Sequence, residues 1–404
     1  MIDVGIGLSL GKNSIAAAEE ATRTAKINKI NKEKIDLALV FSSTGLSPAS
    51  LSKTLNNLLD GVPIIGSTGA AIISNQGVFE NGLVLMLLSF TKGTYFGTAY
   101  TKDIKTKAAI SSGEELGEKL LYGFKNLPRN LSLIFFDRLI DDSSNFIYGL
   151  QEHLGHSFPC IGVSASDTAQ SIKTSLYFNQ GVINDSCAAI LWGGRLTFGL
   201  GIQHGWKPLG KPHIVTASSG NIVKTIDRAP AVRLYEEYLA CDIHKLKKDL
   251  KRLSVFYPLG VFIEGEQEYL LRNVIGIEED GSMICQGNIP KESTVRLMIS
   301  TKETRLNATH QAVDEAKKNL SSQVIKFSKE KTSKLVIAFS SISRYTLLRR
   351  EAKKELEIIK ENLEPNTPII GLYTYGTLAP LKASSYRGRT YFHNQTITVL
   401  IIEG

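Results

Sequence analysis

One tetrapeptide pattern, Pro-x-Ile-Gly, occurs three times in this chain of 404 residues. Each copy closes a similar stretch, in which an apolar strand, a helix-like segment and a second short strand follow one another. The core strands are nearly continuous apolar runs, which is typical of strands buried on both faces in helix-covered sheets. Three such stretches predict one scaffold with three equivalent turns. The tetrapeptides are residues 63–66, 159–162 and 368–371.

Each copy predicts the same order of helix, core strand, helix and second strand. Asn13 and Ser47 are candidate N-caps for the two helices of the first copy, and Asp142 is one in the second copy. The spacing between strands suits right-handed crossovers. The predicted helix, core strand and helix are 14–30, 36–41 and 48–59 in the first copy, 114–124, 131–136 and 143–154 in the second, and 307–325, 334–339 and 345–363 in the third.

Each copy also ends in a strand that follows an Asn or Asp turn residue. After the first two of these strands, Lys92-Gly93 and Gly193-Gly194 predict hairpins. The third strand ends the chain. The turn residues are Asn81, Asp185 and Asn394.

Residues 201–300 have a different character, with short strands between turns and a proline, Pro230, that suits the first turn of a helix. We therefore predict an α/β protein of two domains built on repeated helix-strand-helix-strand-hairpin units with helix-covered mixed sheets. The first domain is 1–200, with repeats at about 4–93 and 94–200. The second is 201–404, with the central segment 201–300 and the third repeat 301–404.

The composition is that of a soluble globular protein, with 43% hydrophobic and 21% charged residues. No apolar run reaches the length of about 18 residues that a membrane-spanning helix needs, so no membrane insertion is expected. The start of the chain has no signal-peptide pattern. The four cysteines are scattered, without a C-x-x-C pair, which argues against a disulfide framework and structural zinc. These features predict a cytoplasmic protein.

Two basic segments, 244–252 and 344–354, contribute to a net charge of +8. Both have helical periodicity, which predicts solvated helix faces. They lack the interleaved aromatic residues and the motifs of nucleic-acid binding, so no nucleic-acid partner is expected. The sequence also lacks a P-loop, a G-x-S-x-G elbow and an H-E-x-x-H motif.

The loop after the second tetrapeptide is the best polar candidate for a binding site. Gly162 lets a ligand approach the backbone, while Ser164, Ser166 and Asp167 offer hydrogen bonds and a charge. The alternative is that Asp167 caps a turn and the serines permit tight packing. Ser67 and Thr68 occupy the corresponding turn of the first copy, and Gly376 that of the third.

Two tyrosines and one histidine complete the set of candidate ligand-binding residues. Tyr373 and Tyr375 alternate around Thr374, which predicts that they share one face of a strand. They form either a ligand wall or ordinary sheet packing. His204 lies beside Trp206, which we expect in the core. A lone His or Cys can also be an axial haem ligand, although no spacing favours it.

Four segments resemble the FIST family, a pair of sensory domains named for F-box and intracellular signal transduction proteins. The similarity extends from about residue 5 to residue 404. The segment 63–72, which begins with the first tetrapeptide, is similar to Gly-Cys-Ser-x-x-Gly-Glu-Ile in that family. The loop 162–167, which begins at the glycine of the second tetrapeptide, is similar to Gly-Gly-Ser-Ala-Gly-Asp. The central segment 204–231 and the segment 371–380, similar to Tyr-Gly-Glu-Ile, are the more specific matches.

The resemblance implies a cytoplasmic module that binds a small ligand, for which amino acids or related metabolites are expected, and that signals to a separate protein. It implies no catalysis. A haem-based gas sensor, a hydrolase or transferase that uses the same pocket, and a protein-binding scaffold remain as alternatives. Where the family pattern has Glu, this chain has Ala71 and Thr377. If those carboxylates bind a ligand amine, their replacement changes specificity or abolishes binding.

Overall fold

The computed structural model describes residues 2–29, 34–124, 126–137, 142–167, 174–179, 181–264, 268–323, 333–381 and 389–404. Its first unit follows the predicted order of elements. The side chain of Asn13 accepts the backbone N–H groups of Ile15 and Ala16 at the start of the first helix. Ser47 caps the second helix, whose first residue is Pro48. The elements are β1 (Ile2–Ser9), α1 (Ser14–Asn28), β2 (Leu37–Ser43), α2 (Pro48–Leu59), β3 (Ile64–Gly69), β4 (Ala71–Ser74), β5 (Gly77–Phe79) and β6 (Leu83–Phe90).

The second unit repeats this order. Its first helix begins at Ala109, earlier than predicted, and Asp142 caps its second helix as predicted, accepting the N–H of Asn145. The elements are β7 (Thr94–Lys102), α3 (Ala109–Phe124), β8 (Leu131–Phe136), α4 (Ser143–Leu154), β9 (Cys160–Ser164), β10 (Leu176–Phe178), β11 (Gly181–Ile183) and β12 (Ser186–Gly194).

The third unit begins with β13 (Thr197–Gln203) and is then interrupted by residues 204–301, which we call the insertion. The prediction that Pro230 starts a helix is wrong. Pro230 pairs with Thr225 in a short strand, and the helix begins at Arg233. The elements of the insertion are β14 (Lys207–Ser219), β15 (Ile222–Ile226), β16 (Ala229–Pro230), α5 (Arg233–Leu239), α6 (Ile243–Phe256), β17 (Leu259–Phe262), β18 (Tyr269–Arg272), β19 (Val274–Ile277), β20 (Met283–Cys285) and β21 (Thr294–Ile299).

The helix predicted over 345–363 is divided in the third unit. Arg349 has a φ of 51°, a left-handed conformation that ends the first helix, and a short 3-10 turn, Arg349–Glu351, follows. The predicted ends of two other helices, Ile30 and residues 324–325, lie outside the described residues. The remaining elements are α7 (Lys302–Ser322), β22 (Lys334–Ser341), α8 (Ile342–Leu348), α9 (Lys353–Glu361), β23 (Ile369–Thr374), β24 (Thr377–Pro380), β25 (Thr390–His393) and β26 (Ile397–Glu403).

The strands that flank Lys92-Gly93 and Gly193-Gly194 do not form the predicted hairpins. β6 is paired on both sides, with β1 and β2, so it has no free edge for β7, which pairs with β12 instead. In the same way, β13 pairs with β26 rather than with β12. Each of these turns therefore carries the chain from one sheet into the next.

The hairpins that do form are exchanged between units. β10–β11 of the second unit completes the first sheet, β24–β25 of the third unit completes the second, and β4–β5 of the first unit completes the third. The strand orders are β1-β6-β2-β3-β10-β11, β7-β12-β8-β9-β24-β25 and β13-β26-β22-β23-β4-β5. The predicted class, α/β with mixed sheets built from repeated units, is confirmed.

The three sheets share one apolar core. Phe41, Phe135 and Phe339 occupy equivalent positions in β2, β8 and β22, and the ring of Phe41 lies 5.8 Å from Phe135 and 6.0 Å from Phe339. The other face of each sheet is covered by helices, α1 and α2, α3 and α4, or α7 and α9. Both faces of the core strands are thus buried, as their apolar runs predict. No helix in the described part of the chain has the length and hydrophobicity of a membrane span.

The structure explains the repeated tetrapeptide. The carbonyls of Pro63, Pro159 and Pro368 each accept a hydrogen bond from the neighbouring core strand, at 2.9, 3.0 and 2.8 Å. Three residues after the first of these prolines, a Cβ atom on Gly66 would lie 1.8 Å from the carbonyl oxygen of Val40. The equivalent distances are 2.7 Å at Gly162 and 2.0 Å at Gly371. Only glycine permits this approach of the two parallel strands.

We predict that Gly66→Ala and Gly371→Ala each lower the free energy of unfolding by about 2 kcal/mol or more, because the added methyl group would displace a backbone carbonyl. Urea unfolding followed by circular dichroism measures this. Gly181→Ala is the matched control, since a Cβ on this strand glycine meets no atom within 4 Å. Equal stability of all three variants would contradict the explanation.

Candidate functional site

The three turns after the tetrapeptides meet at the centre of the molecule. The N–H of Ala70 donates to the carbonyl of Tyr373 at 3.0 Å, and the N–H of Ser166 donates to that of Thr68 at 3.1 Å. The N–H of Ser164 donates to the carbonyl of Gly376, at 3.0 Å. The turns predicted from the sequence are therefore brought together, and backbone hydrogen bonds link each of them to another unit.

The polar side chains of these turns bond mainly to the turns themselves. Ser166 Oγ donates to the carbonyl of Tyr373 at 2.9 Å and accepts the N–H of Ala70 at 3.0 Å. Thr68 Oγ1 accepts the N–H of Ser175 at 3.1 Å. Ser164 Oγ donates to the carbonyl of Ala165. Ser67 Oγ is buried and has no hydrogen-bond partner among the described residues. This part of the predicted site holds the three units together.

Tyr373 lies on the helix-covered side of the third sheet. Its hydroxyl donates to Glu355 at 2.6 Å, and the same carboxylate accepts two hydrogen bonds from Arg344, at 2.8 and 2.6 Å. Burial, together with the Glu355 carboxylate, holds the pKa of Tyr373 well above its usual value. Arg344 also donates to the carbonyl of His204 at 2.7 Å, which ties the start of the insertion to this network.

Tyr375 contacts another predicted residue, Asp167, rather than Tyr373. Strand β23 ends at Thr374, so Tyr375 lies in the turn, and its hydroxyl donates to Asp167 Oδ1 at 2.6 Å. Burial and the Asp167 carboxylate both raise the pKa of Tyr375. The carbonyl of Tyr375 accepts a hydrogen bond from Gln286 of the insertion at 3.2 Å. The two tyrosines therefore form separate contacts and no common wall.

A chain of side-chain amides continues from Gln286. Gln286 Oε1 accepts from Asn273 Nδ2 at 3.0 Å, and Asn273 Oδ1 accepts from Gln395 Nε2 at 2.6 Å. Gln395 Nε2 also donates to the carbonyl of Ser254 in α6, at 3.3 Å. Asn394 joins the chain through Oδ1, which accepts the backbone N–H of Asn273 at 2.9 Å. We call Asn273, Gln286, Asn394 and Gln395 the amide junction.

Two atoms of the amide junction have no hydrogen-bond partner among the described residues. They are Asn394 Nδ2 and Gln395 Oε1, and both residues are 0% exposed. The nearby Ser254 Oγ is also buried and has no partner in the part of the chain that the structure describes. Each buried polar atom without a partner costs about 1–3 kcal/mol. Such a group in a native structure requires an explanation.

The insertion creates this environment in one unit only. The equivalent turns of all three units are held alike, by hydrogen bonds from Ser43 to Gly82, from Asp137 to Ser186 and from Ser341 to Thr396. Asn81 in the first turn is nevertheless exposed, and Asp185 in the second keeps 30% of its side chain exposed. Asn394 is 0% exposed, and its side chain accepts a hydrogen bond from Asn273 of the insertion.

Two buried histidines lie near the junction. Gln203 pairs with Ile397, so His204 enters the insertion beside the turn that contains Gln395. His204 Nδ1 accepts the N–H of Trp206 at 2.8 Å, so the ring proton is on Nε2, which lies 3.6 Å from a Glu268 carboxylate oxygen. Burial, and then the charge of Arg344, lower the pKa of His204 to about 4.

His393 is the second buried histidine near the amide junction. Its Nε2 donates to the carbonyl of Ala379 at 2.9 Å, and burial lowers its pKa to about 3. Both imidazoles are therefore neutral at pH 7. Within the described residues, no group of three His, Cys, Asp or Glu side chains is arranged to hold a metal ion.

The two positions where the resemblance expects Glu differ in their surroundings. Ala71 is fully buried in the apolar core of the third sheet and pairs with Tyr373. Thr377 pairs with His393, and its hydroxyl bonds to Thr396 at 2.9 Å, next to the turn at Gln395. A carboxylate at position 377 would thus face a neutral histidine close to the amide junction.

Comparison with known proteins agrees with the resemblance seen in the sequence. The FIST N domain model matches residues 36–229, and the FIST C domain model matches residues 231–380. The chain belongs to the FIST family. FIST domains are associated with sensory signalling and small-ligand binding.

Two uncharacterized proteins are among the relatives of this chain. An uncharacterized protein of Methanocaldococcus jannaschii is 26% identical over an alignment of 301 residues, and the match covers 69% of this chain and 57% of that protein. This FIST chain therefore spans less than two thirds of that relative. An uncharacterized protein of Mycobacterium tuberculosis is 21% identical over 78% of this chain and 82% of its own length. A cyanuric acid hydrolase from A. caulinodans aligns with all of this chain and 99% of its own, but at 8% identity and a TM-score of 0.38 the likeness supports no conclusion.

The amide junction was not predicted from the sequence. The sequence marks Asn394 only as a turn residue equivalent to Asn81 and Asp185. Asn273, Gln286 and Ser254 lie in the insertion and carry no motif. Of the predicted residues, Asp167 and Tyr375 connect to the junction through Gln286, and His204 lies beside it.

We predict that the stability of this protein falls as the pH is lowered from 7 to 4.5, in part because His393 must stay neutral in the fold. The unfolded chain takes up a proton near pH 6.5, whereas the folded pKa is about 3, so the unfolded state is favoured progressively below pH 6.5. His393→Gln should remove about 2.5 kcal/mol of this dependence between pH 7 and 4.5. Urea unfolding at several pH values measures it, and an unchanged slope would contradict a neutral buried His393.

Proposed function

We propose that this FIST protein is a cytoplasmic sensor that binds a small polar ligand at the amide junction and signals to a separate protein. Amino acids and related metabolites are the proposed ligands. We also propose that its two domains meet near residue 200, where β13 brings the chain into the third sheet. Asp167, Tyr375 and His204 are then residues that border the site.

The unpartnered pair, Asn394 Nδ2 and Gln395 Oε1, is the observation that supports this site. A junction with a purely structural role gains stability when its amides bond to each other or are replaced by apolar side chains. Here one buried donor and one buried acceptor have no partner among the described residues, and the same is true of the nearby Ser254 hydroxyl. Few convergent polar groups in a buried setting are characteristic of small-molecule sites.

The position of the junction suits a signalling role. It joins the insertion to the third unit, and through Tyr375 and Asp167 it reaches the second unit. The insertion contacts the second unit again where Asn288 donates to Asp142 at 2.9 Å, at the start of α4. A ligand that contacts both the insertion and the third unit stabilises the conformation in which the two are held together. Such a difference in affinity between two conformations is what a conformational signal requires.

The contacts of the candidate nucleophiles support binding rather than catalysis. Ser164 and Ser166 donate to backbone carbonyls, and Asp167 accepts the hydroxyl of Tyr375. None of the hydrogen bonds described for these residues links a hydroxyl to a histidine or lysine that can remove its proton.

We predict that at least one compound from a panel of amino acids and small metabolites raises the melting temperature of the wild-type chain. Binding to the native state alone adds about 2.7 kcal/mol of stability at a ligand concentration of 100 times Kd. Differential scanning fluorimetry detects this shift. If no compound produces one, the proposed sensor function fails.

The site itself is tested with Asn394→Ala and the matched variant Asn81→Ala, which changes the exposed turn of the first unit. The first substitution should abolish the ligand-induced shift, and the second should leave it intact. Circular dichroism establishes that both variants are folded. A full shift in Asn394→Ala would place the ligand elsewhere.

A further inference from the structure

The polarity of the two unpartnered atoms is fixed by their backbone partners. The N–H of Asn273 can only donate, so the atom of Asn394 that bonds to it is Oδ1 and the free atom is the amide nitrogen. The carbonyl of Ser254 can only accept, so the atom of Gln395 that bonds to it is Nε2 and the free atom is Oε1. The junction therefore offers one free donor and one free acceptor.

The two side chains approach the same residue. Asn394 bonds to the backbone of Asn273, and Gln395 bonds to the Asn273 side chain. Successive side chains of a strand point to opposite faces, but Gln395 has a φ of 60°, which turns the chain between them. The side chains that carry the free donor and the free acceptor are thus both bonded to one residue, Asn273.

The charged groups around the junction are already engaged. Arg272 donates to the carbonyls of Leu271, Asn288 and Phe392, at 3.0, 3.1 and 2.8 Å. Asp167 accepts the Tyr375 hydroxyl, and the imidazoles of His204 and His393 are uncharged. Arg272 keeps its positive charge at pH 7, and the partners described for it are neutral carbonyls. Selection between an amide and an acid therefore rests on the two free atoms of Asn394 and Gln395.

We infer that the amide junction recognises a carboxamide or another amide with its C=O and N–H on one edge, such as a lactam or a ureide. The carbonyl of the ligand accepts from Asn394 Nδ2, and its N–H donates to Gln395 Oε1. This inference rests on the proposed function and names the chemistry of its ligand. Within the proposed amino acids, it favours side-chain amides over side-chain acids.

The same pair of free atoms predicts that the amide junction binds carboxylates poorly. A carboxylate would place an oxygen against Gln395 Oε1, so two buried acceptors would face each other without a proton. A site built to bond an N–H discriminates strongly against an analogue that lacks it, because its own polar group is then left unpaired. We expect a preference of about a hundredfold or more for the amide over the matching acid.

The test compares matched compounds on the wild-type chain by isothermal titration calorimetry and differential scanning fluorimetry. The pairs are L-glutamine and L-glutamate, L-asparagine and L-aspartate, and the fragments 2-pyrrolidinone and N-methyl-2-pyrrolidinone. We expect binding of at least one amide with a free N–H and much weaker binding of its partner. Acids that bind as well as amides would overturn this inference while leaving the sensor function in place. If no compound of the whole metabolite panel binds, the proposed sensor function itself is contradicted.

A second experiment tests whether the amide ligand binds at the amide junction. Asn394→Asp keeps the oxygen that accepts the N–H of Asn273 and replaces the free donor with an acceptor. It should weaken the binding of the preferred amide about tenfold or more, whereas Asn81→Asp, in the equivalent exposed turn, should not. Unchanged amide binding in a folded Asn394→Asp variant would contradict the assignment.

Discussion

None of the three sheets is completed by its own unit. Strands β3, β9 and β23 each pair on their outer side with a hairpin from another unit, and these hairpins bury apolar side chains under the helices of the unit that receives them. The first and third units are also in direct contact, since the N–H of Ile2 in β1 donates to the carbonyl of Gly404 at 2.9 Å. The three cores therefore depend on one another, and the turns between strand and exchanged hairpin are forced to meet at the centre.

The insertion interrupts the third unit between β13 and α7, and it packs against one of the three equivalent turns, the one that contains Asn394. The equivalent turns share the same backbone hydrogen bond but differ in exposure, from the exposed Asn81 to the completely buried Asn394. The scaffold thus provides three equivalent polar positions. One of them is buried beside the insertion, where Asn394 Nδ2 and Gln395 Oε1 have no partner among the described residues. Function in this family member is proposed at the place where the repeat is broken, while the central turns hold the units together.

Much of the scaffold can be predicted from the sequence because its causes are local. Caps such as Asn13 and Asp142 and the apolar runs of β2 and β8 predict the helices and strands near their observed bounds. The partners of a strand are not local information. Lys92-Gly93 indicates a turn, but β7 continues to another sheet because both edges of β6 are occupied.

The candidate site is harder to predict for a related reason. Asn273, Gln286 and Gln395 are common polar residues far apart in the chain, and only the fold brings their amides into one hydrogen-bonded series. The spacing of Tyr373 and Tyr375 predicts a shared face only while the strand continues, and it ends at Thr374. Asp167 and Tyr375 can be predicted as site residues because they lie in the turns that follow the repeated tetrapeptide.

The central claim is that a ligand completes the hydrogen bonding of Asn394 and Gln395. A crystal structure of the chain with L-glutamine, or with the amide that stabilises it most, tests this directly. The claim predicts the ligand carbonyl at about 2.9 Å from Asn394 Nδ2 and its N–H nitrogen at a similar distance from Gln395 Oε1. A ligand bound among the central turns at Ser67 and Thr68, or protein groups bonded to both free atoms, would contradict it.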